Sequence, residues 1–283
     1  MHSTLITPAH LATRIGDRAW VIVDCRFDLA VPEAGVAAYR DGHIPGAVHA
    51  DLDRDLSGPR GPATGRHPLP DPQTLAATFG RWGIGPGVQV VAYDAASGMF
   101  AARLWWLLRW LGHDAVAVLD GGMRAWQDAG LPLENSLPTP QPREFIPAVR
   151  AQLWAGTDEV ARSANDPGWR ILDARAAPRY AGEVEPIDPV AGHVPGAHNF
   201  PYERNLTPAA TLRGSTDLRQ TLTEALGPVP ADRTIVMCGS GVTACHVLLA
   251  LAAAGLEGAR LYPGSWSEWI RDPARPIATG PAP

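Results

Sequence analysis

The sequence predicts an α/β fold, and it predicts that this fold occurs twice in tandem. In each half of the chain, short apolar runs typical of buried strands alternate with longer segments of helical period. Such alternation indicates a parallel sheet flanked by helices on both faces. Matching residues also recur in the same order in the two halves, and a proline-rich stretch separates them. The 283 residues are therefore interpreted as two copies of one type of domain.

The predicted elements follow the same order in each copy. Apolar, β-branched runs predict strands at residues 20–24, 88–93 and 115–119 in the first copy, and at 171–173, 234–237 and 258–261 in the second. Helical period predicts helices at residues 73–82, 99–111, 217–226 and 244–254. The helix at 99–111 carries three tryptophans, which we interpret as core packing.

Two short motifs mark the repeat. Asp24-Cys25-Arg26 in the first copy matches Asp173-Ala174-Arg175 in the second, and a Gly-His-Xaa-Pro-Gly turn follows at His43 and at His193. Both copies keep this histidine, although only the second has a cysteine in its later glycine-rich loop. We therefore predict a structural role for the histidine and no bound metal.

The domain boundaries follow from the repeat and from the prolines at its join. Four prolines between residues 138 and 149 interrupt any regular element and suit an extended linker. We predict an N-terminal domain at residues 1–137, a linker at 138–149 and a C-terminal domain at 150–283.

Composition limits the possible classes of function. The net charge of -5 and the scattered basic residues argue against a nucleic-acid or membrane surface. The first ten residues lack the features of a secretory signal, and three cysteines without a CxxC pair suit a reducing compartment. We therefore expect a soluble, cytoplasmic protein. Cys25 and Cys245 are interpreted as core residues, with a resolving thiol as the alternative for Cys245.

The most informative stretch is the loop that follows the strand predicted at 234–237. Cys238 ends this strand, and Gly239-Ser240-Gly241-Val242-Thr243 leads into the next predicted helix. The glycines allow successive N–H groups to surround a small anion, and the helix adds its positive end. Such surroundings favour a thiolate, so Cys238 is a candidate nucleophile; an inert core cysteine is the alternative. Asp94 occupies the matching place in the first copy.

With these motifs together, the sequence resembles the two-domain rhodanese family of sulfurtransferases. The resemblance rests on the duplicated Asp-Xaa-Arg and Gly-His-Xaa-Pro-Gly-Ala turns, on Asp120-Gly121-Gly122, and on the loop from Cys238 to Ala244. It implies tandem rhodanese-like domains, of which the first is inactive. It also implies a persulfide on Cys238, with no metal and no cofactor.

The loop further resembles the 3-mercaptopyruvate branch of the family. Thiosulfate enzymes typically have Arg and Lys where this chain has Gly239 and Ser240. The resemblance implies a triad of Ser240, His67 and Asp53. It also implies that the donor contacts Arg179 and the loop residues Gly239, Gly241, Val242 and Thr243. The second arginine that commonly follows Glu-Pro is missing, because Ile187 and Asp188 stand there.

Several alternatives stay open at this level. A thiosulfate:cyanide sulfurtransferase is the nearest, and a sulfur-carrier or docking module without turnover is more distant. A cysteine-dependent phosphatase of the same fold needs an arginine where this chain has Ala244, and a nucleotide-binding loop would need a fuller glycine motif. The expected partners are a small-molecule sulfur donor, a cyanide or thiol acceptor, and a thioredoxin-like acceptor protein.

Overall fold

Two parallel sheets form the framework of the chain in a computed structural model that describes residues 1–281. The chain divides into two compact units. The first unit contains Met1–Gly58, Pro70–Arg150 and Thr207–Leu212. The second unit contains Pro59–Leu69, Ala151–Leu206 and the chain from Arg213 onwards. The division by contacts thus differs from the division by sequence at segments 59–69 and 207–212, and it also places residues 138–150 in the first unit.

The first unit has a five-stranded sheet in the order β1-β5-β4-β2-β3, and all its pairings are parallel. Its strands are β1 (Leu5–Ile6), β2 (Trp20–Asp24), β3 (Val48–His49), β4 (Gln89–Tyr93) and β5 (Val116–Leu119). Its helices are α1 (Pro8–Ala12), α2 (Glu33–Asp41), α3 (Pro72–Arg81), α4 (Ala101–Trp110) and α5 (Gly122–Asp128).

The second unit has a four-stranded sheet in the order β7-β6-β8-β9, again with every pairing parallel. Its strands are β6 (Arg170–Asp173), β7 (Ala197–Asn199), β8 (Thr234–Met237) and β9 (Arg260–Leu261). Its helices are α6 (Thr157–Ser163), α7 (Ala177–Ala181), α8 (Ser215–Leu226), α9 (Thr243–Ala253) and α10 (Ser265–Trp269). Short 3₁₀ turns lie at Ala151–Leu153, Tyr202–Asn205 and Ala231–Arg233.

The predicted α/β class is confirmed in both copies, and each predicted strand and helix is present with small shifts at its ends. Strands β1, β3 and β7 were not predicted from the sequence, because strands of two or three residues carry no detectable period. The segment predicted as a linker contains no helix or strand. It lies along the first unit, where the Arg143 N–H donates to the Gly80 carbonyl and the Ala148 N–H to the Leu111 carbonyl.

The tryptophans of α4 pack in the core, as predicted. Trp105, Trp106 and Trp110 are each at least 96 % buried, and the rings of Trp106 and Trp110 stack at 5.9 Å. Aromatic rings of this size supply much of the apolar area that a domain buries. None of the helices within residues 1–281 has the length and apolar character needed to cross a bilayer.

The repeated histidines have the structural role that the sequence predicts. His43 stacks on Tyr39 with ring centroids 4.0 Å apart, and His193 stacks on Tyr180 at 3.7 Å. In each pair the histidine Nδ1 lies within 2.8 Å of the carbonyl oxygen of its tyrosine partner. Burial lowers the pKa of His193, so this ring is held neutral inside the second unit.

Candidate active site

Cys238 lies at the carboxyl end of β8, an inner strand of the second sheet that is buried along its whole length. Ligands of open parallel sheets bind at this edge. The N–H of Gly241 donates to the Cys238 Sγ at 3.2 Å, and α9 begins two residues after Gly241. Cys238 is only 2 % exposed. The cysteine thus lies beside an amide donor and near the N-terminus of a helix.

The conformation of the loop depends on Gly241. Its φ is +75°, and an added Cβ would lie 2.4 Å from the carbonyl oxygen of Pro263, which is closer than any such contact allows. Gly239 and Val242, predicted to bind substrate, belong to the same loop between β8 and α9, and Thr243, predicted with them, is the first residue of α9. Their contacts with a donor remain a prediction.

The start of α10 holds the loop in place, which the sequence did not reveal. The Cys238 N–H donates to Ser265 Oγ at 3.1 Å, and Ser265 Oγ donates to the Tyr262 carbonyl at 2.8 Å. The Trp266 N–H also donates to the Cys238 carbonyl. Ser265 has a φ of +52°, a strained value that is uncommon for any residue except glycine. Gly122, the equivalent residue of the first copy, also has a positive φ. A glycine at this place in the repeat therefore indicated the unusual conformation.

Two of the three predicted triad residues are in contact. The Nδ1 of His67 lies 2.7 Å from Ser240 Oγ, and both residues are at least 95 % buried. His67 comes from the first half of the sequence, but its segment, Pro59–Leu69, belongs to the second unit. Asp53 belongs to the first unit, where it is exposed and its N–H donates to Asp51 Oδ1. Its place in a triad remains a prediction.

Arg179 lies beside the loop, as expected, but it is already paired with carboxylates. Its Nη2 is 2.7 Å from Glu185 Oε1 and 3.4 Å from Asp188 Oδ2. An added Cβ at Gly239 would lie 3.6 Å from its Nη1. The guanidinium is therefore held by acids through Nε and Nη2, and both of its Nη atoms lie beside Gly239.

Two further arginines at this site were not predicted from the sequence. Arg66 forms an ion pair with Asp188, and an added Cβ at Gly239 would lie 2.9 Å from its Nη2. Arg175 is buried and forms an ion pair with Asp173 at 2.6 Å. The signals were present, because Arg66 adjoins His67 and Arg175 belongs to the repeated Asp-Xaa-Arg motif.

The ion pairs shift the ionisation of the buried groups. Burial raises the pKa of Glu185, but hydrogen bonds from Arg179 and from the N–H groups of Asp188 and Ile187 outweigh it, so the pKa lies below its ordinary value. Burial lowers the pKa of Arg175, yet Asp173, Glu185 and Cys238 raise it, and the net change is upward. Arg175 is therefore charged at neutral pH.

The other two cysteines lie in different environments. Burial, and then the charge of Asp24, raise the pKa of Cys25 well above its ordinary value. Cys245 is buried within α9, and its Sγ donates to the Gly241 carbonyl at 3.2 Å. Both are packed core residues, as predicted. Within residues 1–281, no group of three His, Cys, Asp or Glu side chains is arranged to hold a metal ion.

Asp94 fills the corresponding loop of the first copy. Its carboxylate accepts hydrogen bonds from the N–H groups of Ala96, Gly98, Phe100 and Ala101, at 2.8 to 3.2 Å. The Met123 N–H donates to its carbonyl, as the Trp266 N–H does to Cys238. The equivalence of the two positions is confirmed. The first loop therefore binds a carboxylate of its own chain where the second has a thiol.

The fold and the site define a class of duplicated α/β proteins with a cysteine at the end of an inner strand, beside a loop whose Gly241 N–H donates to the cysteine Sγ. The model of the rhodanese-like domain matches residues 7–129 and again residues 156–272. The chain therefore belongs to the rhodanese-like family, as the motifs indicated, with two copies of the domain.

Relatives cover nearly the whole chain. A Pseudomonas aeruginosa protein assigned as a 3-mercaptopyruvate sulfurtransferase is 49 % identical over 278 residues, 98 % of each chain. A Mycobacterium tuberculosis protein assigned as the thiosulfate sulfurtransferase SseB is 43 % identical over 282 residues, also 98 % of each. The solved structure of a 3-mercaptopyruvate sulfurtransferase from Leishmania major has a TM-score of 0.83 and 32 % identity, covering 94 % of this chain and 74 % of that one. The relatives thus share sulfur transfer and differ in the donor for which they are named.

Proposed function

We propose that this protein is a sulfurtransferase that takes sulfur from 3-mercaptopyruvate and passes it, through a persulfide on Cys238, to a cyanide or thiol acceptor. The hydrogen bond between Ser240 and His67, next to a cysteine in an amide-lined loop, carries the proposal. The relatives from P. aeruginosa and L. major, both named for 3-mercaptopyruvate, support the same donor.

In the first step the Cys238 thiolate attacks the sulfur atom of the donor. A sulfur–sulfur bond forms, the carbon–sulfur bond of the donor breaks, and its electron pair leaves with the carbon as the enolate of pyruvate. The Gly241 N–H, which donates to Cys238 Sγ, stabilises the negative charge on sulfur before and after the step. Removal of one such donor from comparable sites costs about 3 kcal/mol.

In the second step the enolate takes up a proton and leaves as pyruvate. Ser240 has the hydroxyl that delivers this proton, and His67, within 2.7 Å of it, replaces the proton on the hydroxyl. We include Asp53 as the group that orients His67, on the family pattern alone.

In the third step the acceptor attacks the outer sulfur of the persulfide. The sulfur–sulfur bond breaks, the acceptor leaves with the outer sulfur, and Cys238 returns to the thiolate. Cyanide serves as the small-molecule acceptor in the assay. In the cell, we propose a thioredoxin-like protein as the acceptor. The protein would then act in the cytoplasm, because a reducing compartment keeps the Cys238 thiol free.

Paired measurements with the two donors test this function. We expect kcat/KM for 3-mercaptopyruvate to exceed that for thiosulfate by at least about tenfold, or about 1.4 kcal/mol. The reason is that positions 239 and 240 are Gly and Ser, so the loop lacks side-chain cations for a dianion. Thiocyanate formation from cyanide measures both reactions. A preference for thiosulfate would contradict the proposal.

Replacement of Ser240 by alanine tests the proton transfer. With 3-mercaptopyruvate we expect kcat to fall about 100-fold, the lower range for a lost general acid. With thiosulfate we expect a change of less than about twofold, because sulfite leaves without protonation at carbon. Ser215→Ala, at the exposed start of α8, is the matched control. Equal losses with both donors would exclude Ser240 from proton transfer.

A thiosulfate sulfurtransferase is the second candidate. It is favoured by the M. tuberculosis relative and by the guanidinium groups of Arg66 and Arg179, which both lie near Gly239. Two cations at that place would also suit a dianion. The same donor comparison decides between the two candidates.

A further inference from the structure

The Arg66 side chain faces the active loop more closely than the arginine that the sequence singled out. At the place where a Cβ would be added to Gly239, the Nη2 of Arg66 is 2.9 Å away and the nearest atom of Arg179 is 3.5 Å away. The Arg66 side chain is 18 % exposed, so the guanidinium lies at the boundary between the buried cysteine and solvent. A donor that reaches Cys238 over Gly239 passes this group.

The backbone fixes Arg66 to the same framework that holds the cysteine. The Arg66 N–H donates to Ser267 Oγ at 3.0 Å, and the Ser267 N–H donates to the Gly239 carbonyl at 2.9 Å. At Gly65 an added Cβ would lie 2.6 Å from the Gly264 carbonyl oxygen, so the two backbones are packed without space between them. Arg66 is therefore held at a fixed distance from the loop, as a substrate-binding group must be.

Asp188 fixes the direction of the guanidinium. Its Oδ1 forms an ion pair with Arg66 Nη1, its Oδ2 lies 3.4 Å from Arg179 Nη2, and its side chain is only 3 % exposed. The carboxylate thus lies between the two arginines. It holds one nitrogen of Arg66 and leaves Nη2 on the side of Gly239.

Asp188 pairs with an arginine that is distant in the sequence. Residues 186–190 contain no basic side chain. An acidic residue stands there in this chain, and an arginine from a segment more than a hundred residues earlier pairs with it. In this ion pair the positive charge therefore comes from Arg66, and Asp188 supplies the negative charge.

We infer that Arg66 is a second donor-binding residue, that its Nη2 binds the carboxylate of the keto-acid donor together with Arg179, and that Asp188 is the positioning residue for both arginines. The inference rests on the proposed function, because it assumes a donor with a carboxylate. Guanidinium and carboxylate form paired, charge-assisted hydrogen bonds, which are among the stronger contacts available to a small anion.

A pair of donors that differ only in the carboxylate tests the inference. 1-Mercapto-2-propanone keeps the thiol and ketone of 3-mercaptopyruvate and has a methyl group in place of the carboxylate. For Arg66→Met we expect kcat/KM with 3-mercaptopyruvate to fall about 10- to 100-fold, mainly through KM, as for a lost charged hydrogen bond. With 1-mercapto-2-propanone the change should stay within about twofold. The inhibition constant of pyruvate, which carries the same carboxylate, should rise about as much as KM.

Two control variants separate binding from damage to the site. The double variant Asp188→Asn with Arg66→Met removes both charges of this ion pair. Asp188 is then not left as a carboxylate without its arginine partner. The double variant should be no better with 3-mercaptopyruvate than Arg66→Met alone, because Asp188 also positions Arg179. Arg213→Met, which removes an arginine paired with Asp217 on α8, should leave both donors unaffected.

The possible results lead to different conclusions. Recovery in the double variant, equal losses with both donors, or an unchanged pyruvate inhibition constant would each overturn the role of Arg66 and leave the proposed function standing. Failure of the unmodified protein to use 3-mercaptopyruvate would overturn the proposed function, and the inference with it.

Discussion

Replacement of Cys238 by serine is expected to abolish sulfur transfer from either donor, lowering kcat/KM by at least about a thousandfold. A serine hydroxyl fits the same loop, but its oxygen cannot hold a transferable sulfur atom. The loss should be measured as thiocyanate formed from cyanide. Intact-mass measurement after donor treatment should show one added sulfur atom on the unmodified protein and none on the variant.

Cys25→Ala is the control for this experiment. Cys25 is 99 % buried, and its raised pKa keeps it a thiol at neutral pH. The variant should therefore still gain one sulfur atom and turn over both donors at the normal rate. If Cys238→Ser kept its turnover, or if the added sulfur were found on another cysteine, the assignment of the nucleophile would be wrong.

The second large effect is expected for Gly241→Ala, which should lower kcat at least about 100-fold. The added Cβ would lie 2.4 Å from the Pro263 carbonyl oxygen, so the loop backbone must move. That movement takes the Gly241 N–H away from the Cys238 Sγ, to which it donates at 3.2 Å. Steady-state kinetics with 3-mercaptopyruvate, together with the mass of the persulfide, measure the effect.

Gly87→Ala separates the steric effect from the effect of backbone conformation. Gly87 also has a positive φ, +78°, but an added Cβ would meet nothing within 4 Å. Both substitutions strain the backbone by about 1 kcal/mol, which thermal unfolding should detect in each variant. Only Gly241→Ala should lose activity. Equal kinetics in the two variants would show that the position of the Gly241 amide does not matter for catalysis.

Much of this protein can be predicted before its structure is known, because the relevant information is local. The periods of apolar residues predicted the strands and helices, and the recurrence of the Asp-Xaa-Arg and Gly-His-Xaa-Pro-Gly motifs predicted the duplication. The order of strand, glycine-rich loop and helix around Cys238 indicated a site for an anion. In each case residues that are adjacent in sequence act together.

The arrangement around the cysteine was decided by tertiary structure. Arg66 and His67 lie against the loop after Cys238, and Asp188 pairs with Arg66, because the fold brings together segments that lie far apart in the sequence. No local period records which distant arginine pairs with a given carboxylate. The role of the strained backbone at Ser265 is likewise evident only from the fold, in which the Ser265 hydroxyl accepts a hydrogen bond from the Cys238 N–H. Sequence thus determined the fold class and the candidate nucleophile. The charged groups beside the loop are set by contacts between segments, and these form only when the chain has folded.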